Sequence, residues 1–294
     1  MKIRLKQLSL QDDNERYRRP SKQLPLPNEF TFQNFAIDDT EPSLITDVFN
    51  DSEDVIKAFF GILKNASNME DYLGGCGSIG DTMNPYAYAY ELYTQDARQE
   101  MSLESFKDSF QGIGHINLLK LYPVYIPPGT PENIRYYMFE IEIITGPTEK
   151  DQMAYDRGGS YFVYYYGLIA VEYDQNEGWK IRSIYYLPED FLCAPDHGWS
   201  YAAEYLVPIV YEEWYQLIDQ IDNMVQNGNL VSVYASNEDK SRRYKFDFVR
   251  LTNGYDILLH ENIWNKGRWE EINIMRDEGQ RLKLSPLNPN FMTA

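Results

Sequence analysis

The chain has 294 residues, 43% of them hydrophobic and 15% aromatic, with a formal charge of −18 at pH 7 when histidine is counted neutral. That length can bury a substantial core, which excludes a disordered chain, and a body this acidic repels phosphate backbones, which weighs against nucleic acid as a partner. No apolar run approaches the roughly 18 residues of a membrane-spanning helix or forms the apolar core of a signal peptide, so the expectation is a soluble chain.

Residues 1–24 carry seven basic side chains (Lys2, Arg4, Lys6, Arg16, Arg18, Arg19, Lys22) against Asp12, Asp13 and Glu15, a leader of +4 on a body of −22. Pro20, Pro25, Pro27 and Pro42 interrupt any periodicity, so residues 1–50 read as an extended arm, with Phe30, Phe32 and Phe35 as anchors. The basic leader is either a solvated tail or a contact for an anionic surface or acidic partner.

Asp51 is a good helix cap, and Val55, Ile56, Phe59, Phe60 and Leu63 keep to one face, predicting a helix over 52–65. Asn84-Pro85 starts a second, running to about Tyr93, and Ser102 caps a third through Phe106 and Phe110 that Gly112 and Gly114 end.

From His115 the period becomes two. Ile116, Leu118, Tyr122 and Val124 alternate with His115, Asn117, Leu119 and Leu121; then Tyr137, Phe139, Ile141 and Ile143 alternate with Tyr136, Met138, Glu140 and Glu142. A third strand, Ser160–Asp174, is apolar on both faces and so central, with Gly167 marking a bend. The Asn176-Glu177-Gly178 turn leads into a fourth strand through Trp179, Ile181, Tyr185 and Leu187.

Helices followed by a curved antiparallel sheet over 51–193 resemble the NTF2-like (cystatin-like) superfamily. The run Ser102-Leu103-Glu104-Ser105-Phe106-Lys107 through Phe110-Gln111-Gly112-Ile113 is similar to NTF2-like modules of Gram-positive envelope proteins. The resemblance implies an α+β cone with a pocket between helices and sheet, used for catalysis, small-molecule binding or protein docking.

Beyond Cys193, Leu206, Ile209, Trp214, Leu217, Ile218, Ile221, Met224 and Val225 suggest one amphipathic helix over 199–227, kinked or begun at Pro208 and ended by Gly228. A four-strand meander follows: Leu230–Ala235, Tyr244–Leu251, Tyr255–Glu261 and Trp269–Ile274. Asn253-Gly254 suggests a type I′ hairpin and Asn265-Lys266-Gly267 the next turn. The expected organisation is an arm (1–50), an NTF2-like domain (51–193), a smaller α+β subdomain (199–280) and a tail (281–294).

Gly75-Cys76-Gly77-Ser78-Ile79-Gly80 matches G-x-G-x-x-G but follows a helix in a chain without parallel-sheet patterning, so no dinucleotide is expected. His115, His197 and His260 show no paired metal spacing, and Cys193 with His197 has no companion pair. The acidic group Asp38, Asp39, Glu41, Asp47, Asp51, Glu53 and Asp54 lacks an EF-hand's alternation. Neither a metal nor a cofactor is expected. Cys76 and Cys193 are two thiols or one bridge, as compartment dictates.

Glu140 and Glu142 share one strand face, as do Lys180 and Arg182, so cross-strand pairing on a solvent face explains all four. The sharper alternative points the two carboxylates, with His115 as a third proton carrier, into a pocket lined by Tyr136, Met138, Tyr164 and Tyr166, where burial would raise a glutamate pKa for acid or base work. No family catalytic motif matches residue by residue. The balance is against an enzyme and for a non-enzymatic binding or scaffolding protein with a protein partner, in a bacterial envelope-associated or multiprotein assembly; the rival is an isomerase-like enzyme or carrier. Membrane contact would run only through residues 1–24 or an upstream anchor. An extracytoplasmic site follows if the N-terminus is trimmed, a cytoplasmic one otherwise.

Overall fold

In the computed structural model, which describes residues 49–68, 83–145, 161–189 and 202–274, the first helix is α1, Ser52–Leu63. The Asp51 carboxylate accepts from the Glu53 amide at 2.8 Å, supplying the cap that the sequence predicts. The leader and most of the arm, the glycine loop 75–80, Cys76, Cys193, His197, four of the acidic group (Asp38, Asp39, Glu41, Asp47) and the tail lie outside the described residues. The described residues fall into two compact units, 49–189 and 202–274. The chain is α+β, with helices and two antiparallel sheets.

In the first unit, α2 (Asn84–Glu91) starts with Pro85 in its first turn, and α4 (Leu103–Asp108) is capped by Ser102, whose hydroxyl accepts from the Ser105 amide at 3.1 Å. Between them lies a helix the periodicity missed, α3 (Gln95–Glu100). It buries no residue, so it has no apolar stripe, and its one local signal is Thr94, which accepts from the Ala97 amide at 3.3 Å.

Strands β1 (Ile113–Pro123), β2 (Ile134–Thr145), β3 (Tyr161–Asp174) and β4 (Gly178–Pro188) pair antiparallel in chain order. A bulge between Leu118 and Lys120 corrects the expected alternation in β1: Leu121 joins Ile116 and Leu118 in the core, while Tyr122 pairs with Met138 on the opposite face. The free side of β4 is met by short parallel bridges from Phe49 to Gly178 and from Tyr93 to Ile181.

The core lies between α1 and one face of this sheet. Val55, Ile56, Phe59, Phe60, Ile62 and Leu63 pack with Tyr137, Phe139, Ile141 and Ile143 of β2, and with Ile169, Val171 and Ile181. The interior is largely rings: Phe60 lies 5.3 Å from Phe139, Phe59 5.6 Å from Tyr93, and Tyr86 stacks on Phe110 at 4.9 Å. Burying one such side chain stabilises by about 1.5–3 kcal/mol. Ser52 and Tyr137 share a hydroxyl hydrogen bond of 2.5 Å that pins the start of α1 to β2.

Gly167 sits where Phe139 and Tyr186 flank it on the neighbouring strands, and those two rings meet at 5.3 Å. A Cβ there would stand 1.9 Å from the Tyr185 carbonyl oxygen and 3.1 Å from the Phe139 ring. The glycine therefore permits a close approach of backbones that no side chain allows.

The second unit corrects the single helix expected over 199–227. Helix α5 (Ala203–Val207) runs into a π-helical turn, Pro208–Trp214, and the chain then becomes strand β5, Gln220–Asn227. Gln216, at φ 53°, breaks the helix in the left-handed region, and Gly228, read as a helix end, is a hairpin turn between the paired residues Asn227 and Leu230. Ile221 and Val225, expected on the buried stripe, are exposed. The sheet accordingly has five strands, continuing with β6 (Leu230–Ser236), β7 (Arg243–Arg250), β8 (Asp256–Asn265) and β9 (Arg268–Ile272).

Turn geometry differs from expectation too. At 253–254 only Gly254 has positive φ, 86°, and the Gly254 amide donates to the Leu251 carbonyl at 2.9 Å, so this is a longer loop rather than a two-residue type I′ turn. Both central residues are left-handed instead at Lys266 (46°) and Gly267 (89°), between the paired Asn265 and Arg268. On the other side of the sheet, Val231, Val233, Phe246, Phe248 and Leu258 pack with Val207, Val210 and Tyr211, the last stacked on Phe246 at 3.8 Å.

Candidate functional site

Alternation along β2 divides its side chains between two environments. Tyr137, Phe139, Ile141 and Ile143 enter the helix-packed core, so Tyr136, Met138, Glu140 and Glu142 take the other face. The register sets Glu140 between Lys120 and Tyr166, Glu142 between Asn117 and Tyr164, and Met138 between Tyr122 and Leu168. His115, two residues before Asn117, adds to the same row. The structure thus brings all seven candidate residues onto one sheet face, but not the one turned to the helices. The apolar set of β2 has the stronger claim on that interior, and the polar set is displaced to the other side.

Nor does that face pair its charges with Lys180 and Arg182. Glu140 is fully buried, and the Lys120 ammonium, 3% exposed, donates to its Oε2 at 2.5 Å. Glu142, 6% exposed, accepts the Tyr164 hydroxyl at 2.7 Å. Arg182 instead pairs with Glu172 at 2.6 Å, and Lys180 donates to the Glu91 carbonyl at 3.1 Å. Solvent exposure and pairing with β4 are both overturned for the two glutamates.

Burial holds the His115 pKa below its ordinary value; a hydrogen bond with Asn117, the charge of Glu142 and a hydrogen bond to the Lys64 backbone oppose that, while the Lys64 charge adds to it. Burial likewise lowers the Lys180 pKa, with Glu177 pulling it back. On the helix side the Tyr86 hydroxyl is buried among rings without a hydrogen-bond partner among the described residues, and burial raises its pKa.

Lys120 is the residue that sequence reasoning missed. Its signal was a lysine inside the apolar run Leu118-Leu119-Lys120-Leu121, where an unpaired charge would be too costly to bury. Two further buried carboxylates went unnoticed in the second unit. Asp256 receives the Arg250 guanidinium through bonds of 2.9 and 2.8 Å and the Ala203 amide at 2.7 Å, supplying the capping oxygen that Ala202 lacks at the start of α5. Glu261 accepts the Tyr211 hydroxyl at 2.6 Å and the Ile274 amide at 2.8 Å. Burial, and then the Glu261 carboxylate, drive the Tyr211 pKa well above its usual value. Among the described residues no group of three His, Cys, Asp or Glu side chains is placed to hold a metal ion.

No family model matches the chain, and no curated protein matches it. Among solved structures, one described as "Ntf2 like protein involved in plasmid conjugation" is similar at 10% identity, covering 69% of this chain and 92% of its own, with a TM-score of 0.26. At that score the likeness adds nothing to the strand register and helix packing, on which the α+β description rests.

Proposed function

We propose that this chain is a non-enzymatic binding or scaffolding protein, its first unit an NTF2-like cone, working in a bacterial envelope-associated or multiprotein assembly. One observation carries the reading. The space between α1 and the sheet is filled by the rings of Phe59, Phe60, Tyr86, Phe106 and Phe139, all essentially fully buried, rather than by polar groups arranged about a vacancy. The carboxylates best suited to proton transfer, Glu140 and Glu142, are engaged by Lys120 and Tyr164 on the opposite face. A rigid, ring-filled unit suits a part whose work is to hold a surface in shape.

The test is capture of partners from the native host with the full chain and with a chain lacking residues 1–24, after mild cross-linking. A reproducible protein partner supports the reading, and its loss on truncation assigns the contact to the basic leader. A chain that stays monodisperse and captures nothing overturns it.

A further inference from the structure

In the second unit, β6 to β9 send every second side chain to the sheet face turned away from the core residues packed with α5. The register gathers them in rows: Tyr234 beside Lys245, Lys245 beside Asn262 and Asn262 beside Glu271; Ser232 beside Asp247, and Asp247 beside His260; Trp264 beside Trp269. The Trp264 and Trp269 rings lie 5.1 Å apart with planes at 68°, and Tyr234 lies 5.8 Å from Trp269 at 57°. The Arg243 guanidinium stands 4.6 Å over Trp264.

A cross-strand tryptophan pair beside a tight turn stabilises a hairpin, and that alone accounts for Trp264 with Trp269. It does not account for Tyr234. That residue is on β6, three strand spacings or about 14 Å from β9 in a flat sheet, so the Tyr234 and Trp269 rings converge over the strands between them. Tilted against one another, the three rings make an angular aromatic surface rather than a flat patch.

Beside it is a band of planar hydrogen-bonding groups. Asp247 accepts from the Ser232 hydroxyl at 2.6 Å, the Lys245 ammonium at 2.9 Å and the Asn262 amide at 3.2 Å, while His260 Nδ1 lies 2.5 Å from Glu271. These groups are reachable: the side chains of Asp247 and Glu271 are 19% and 41% exposed, and both tryptophans are half-buried. Arg243 and Lys245 balance Asp247 and Glu271, so with histidine counted neutral this face carries no net charge, on a chain of −18.

We propose that this face binds a neutral, pyranose-based oligosaccharide. Trp269 and Tyr234 pack on the apolar C–H face of one sugar ring, and Asp247, Asn262 and Lys245 hydrogen-bond its hydroxyls. A pyranose with equatorial hydroxyls needs that pairing of rings and planar polar groups, being apolar above and below and polar around its rim. A single-stranded nucleic acid would use the rings but requires a cationic groove, and a peptide strand would require a free sheet edge rather than a face. The proposal goes beyond the assembly role, and each can fail alone, since one is read by captured protein and the other by free glycan.

The experiment titrates the full chain with cellohexaose and with N-acetylated chitohexaose, at low and high salt, by calorimetry and tryptophan fluorescence. Heparin and a thymidine homopolymer serve as anionic comparators. One of the neutral oligomers is expected to bind with a fluorescence change and little salt dependence; Trp269→Ala and Asn262→Ala should each weaken binding about tenfold or more, a free-energy change of about 1.4 kcal/mol. Because Trp269→Ala can loosen the hairpin, Asn262→Ala is paired with a thermal melt, and lost binding at an unchanged midpoint assigns ligand contact. The proposal is overturned if neither neutral oligomer binds, if only the anionic polymers bind in a salt-sensitive way, or if both variants bind like the parent.

Discussion

The two units solve the same problem in opposite ways. In each, one face of an antiparallel sheet packs with helical segments, and in each a carboxylate is buried. In the first unit the buried Glu140 lies on the face away from α1 and is neutralised by a cation, Lys120, from the adjacent strand. In the second, Glu261 and Asp256 project to the side that packs with α5 and the π-helical turn, where a tyrosine hydroxyl, backbone amides and Arg250 receive them. The first arrangement leaves the helix–sheet core to aromatic and aliphatic side chains. The second uses carboxylates to tie short, weakly capped helical turns to the sheet, because five residues of α5 cannot hold themselves in place by their own hydrogen bonds.

The contrast is broken most severely at the ion pair. Lys120→Met leaves the Glu140 carboxylate buried without its cation and is predicted to cost about 3–5 kcal/mol, whereas Lys120→Met with Glu140→Leu should recover most of that loss. Urea unfolding of the single and double variants measures both; a double variant as unstable as the single would show that the pair is not the unit of cost. Gly167→Ala comes next, at about 3 kcal/mol, the upper range for overpacking, because its Cβ would meet a backbone carbonyl that cannot rotate away. A loss under about 0.5 kcal/mol, typical of a surface site, would mean that the strands separate freely there.

Much of the first unit was legible because its signals are local. Asp51 and Ser102 cap the helices that the sequence assigns them, and the two-residue period of β2 divides core from non-core. What escaped had no local signature. The Leu118–Lys120 bulge reverses the faces of β1 without any glycine or proline to announce it, and the Lys120–Glu140 pair joins residues twenty apart. In the second unit the failure was one of period. Ile221, Met224 and Val225 fit a helical stripe as well as a strand, yet Gly228-Asn229, a two-residue turn pair between two such runs, is a signal for a hairpin. The candidate residues were legible as a set sharing one face. Which face they share was settled by the competing apolar set, a property of the packed sheet.

On the other side of the comparison the expected effects are smaller. Tyr211→Phe removes the hydroxyl donor from Glu261 while keeping the ring on Phe246, and should cost about 1–3 kcal/mol. The same change should flatten the alkaline limb of the stability profile. Tyr211 resists ionisation when folded, so the unfolded chain loses its proton first, and stability falls as pH rises through the ordinary tyrosine pKa of about 10. At the acid end the sign reverses for His115. Its folded pKa is depressed, so the unfolded chain binds the extra proton, and the histidine's contribution is complete above about pH 6.5 and declines below it. Subtracting the profile of His115→Gln from that of the parent isolates this contribution; a difference that does not vary between pH 4 and 7, roughly the range around the ordinary value, would remove it.

The smallest effect should be a gain. Lys266 holds φ 46° at the first position of the turn joining β8 to β9, a left-handed conformation that costs a side chain with a Cβ about 1 kcal/mol and that asparagine tolerates better. Its neighbour Gly267 supplies the second left-handed position, so Lys266→Asn creates the residue pair this turn type favours. We predict stabilisation of about 0.5 kcal/mol, within what compatible turn substitutions deliver. Because the turn sits beside Trp264 and Trp269, the gain should also appear as slower amide exchange in β8 and β9, with glycan affinity unchanged. If Lys266→Asn instead lowered the thermal midpoint, the turn would be held by contacts of the lysine side chain rather than by backbone preference.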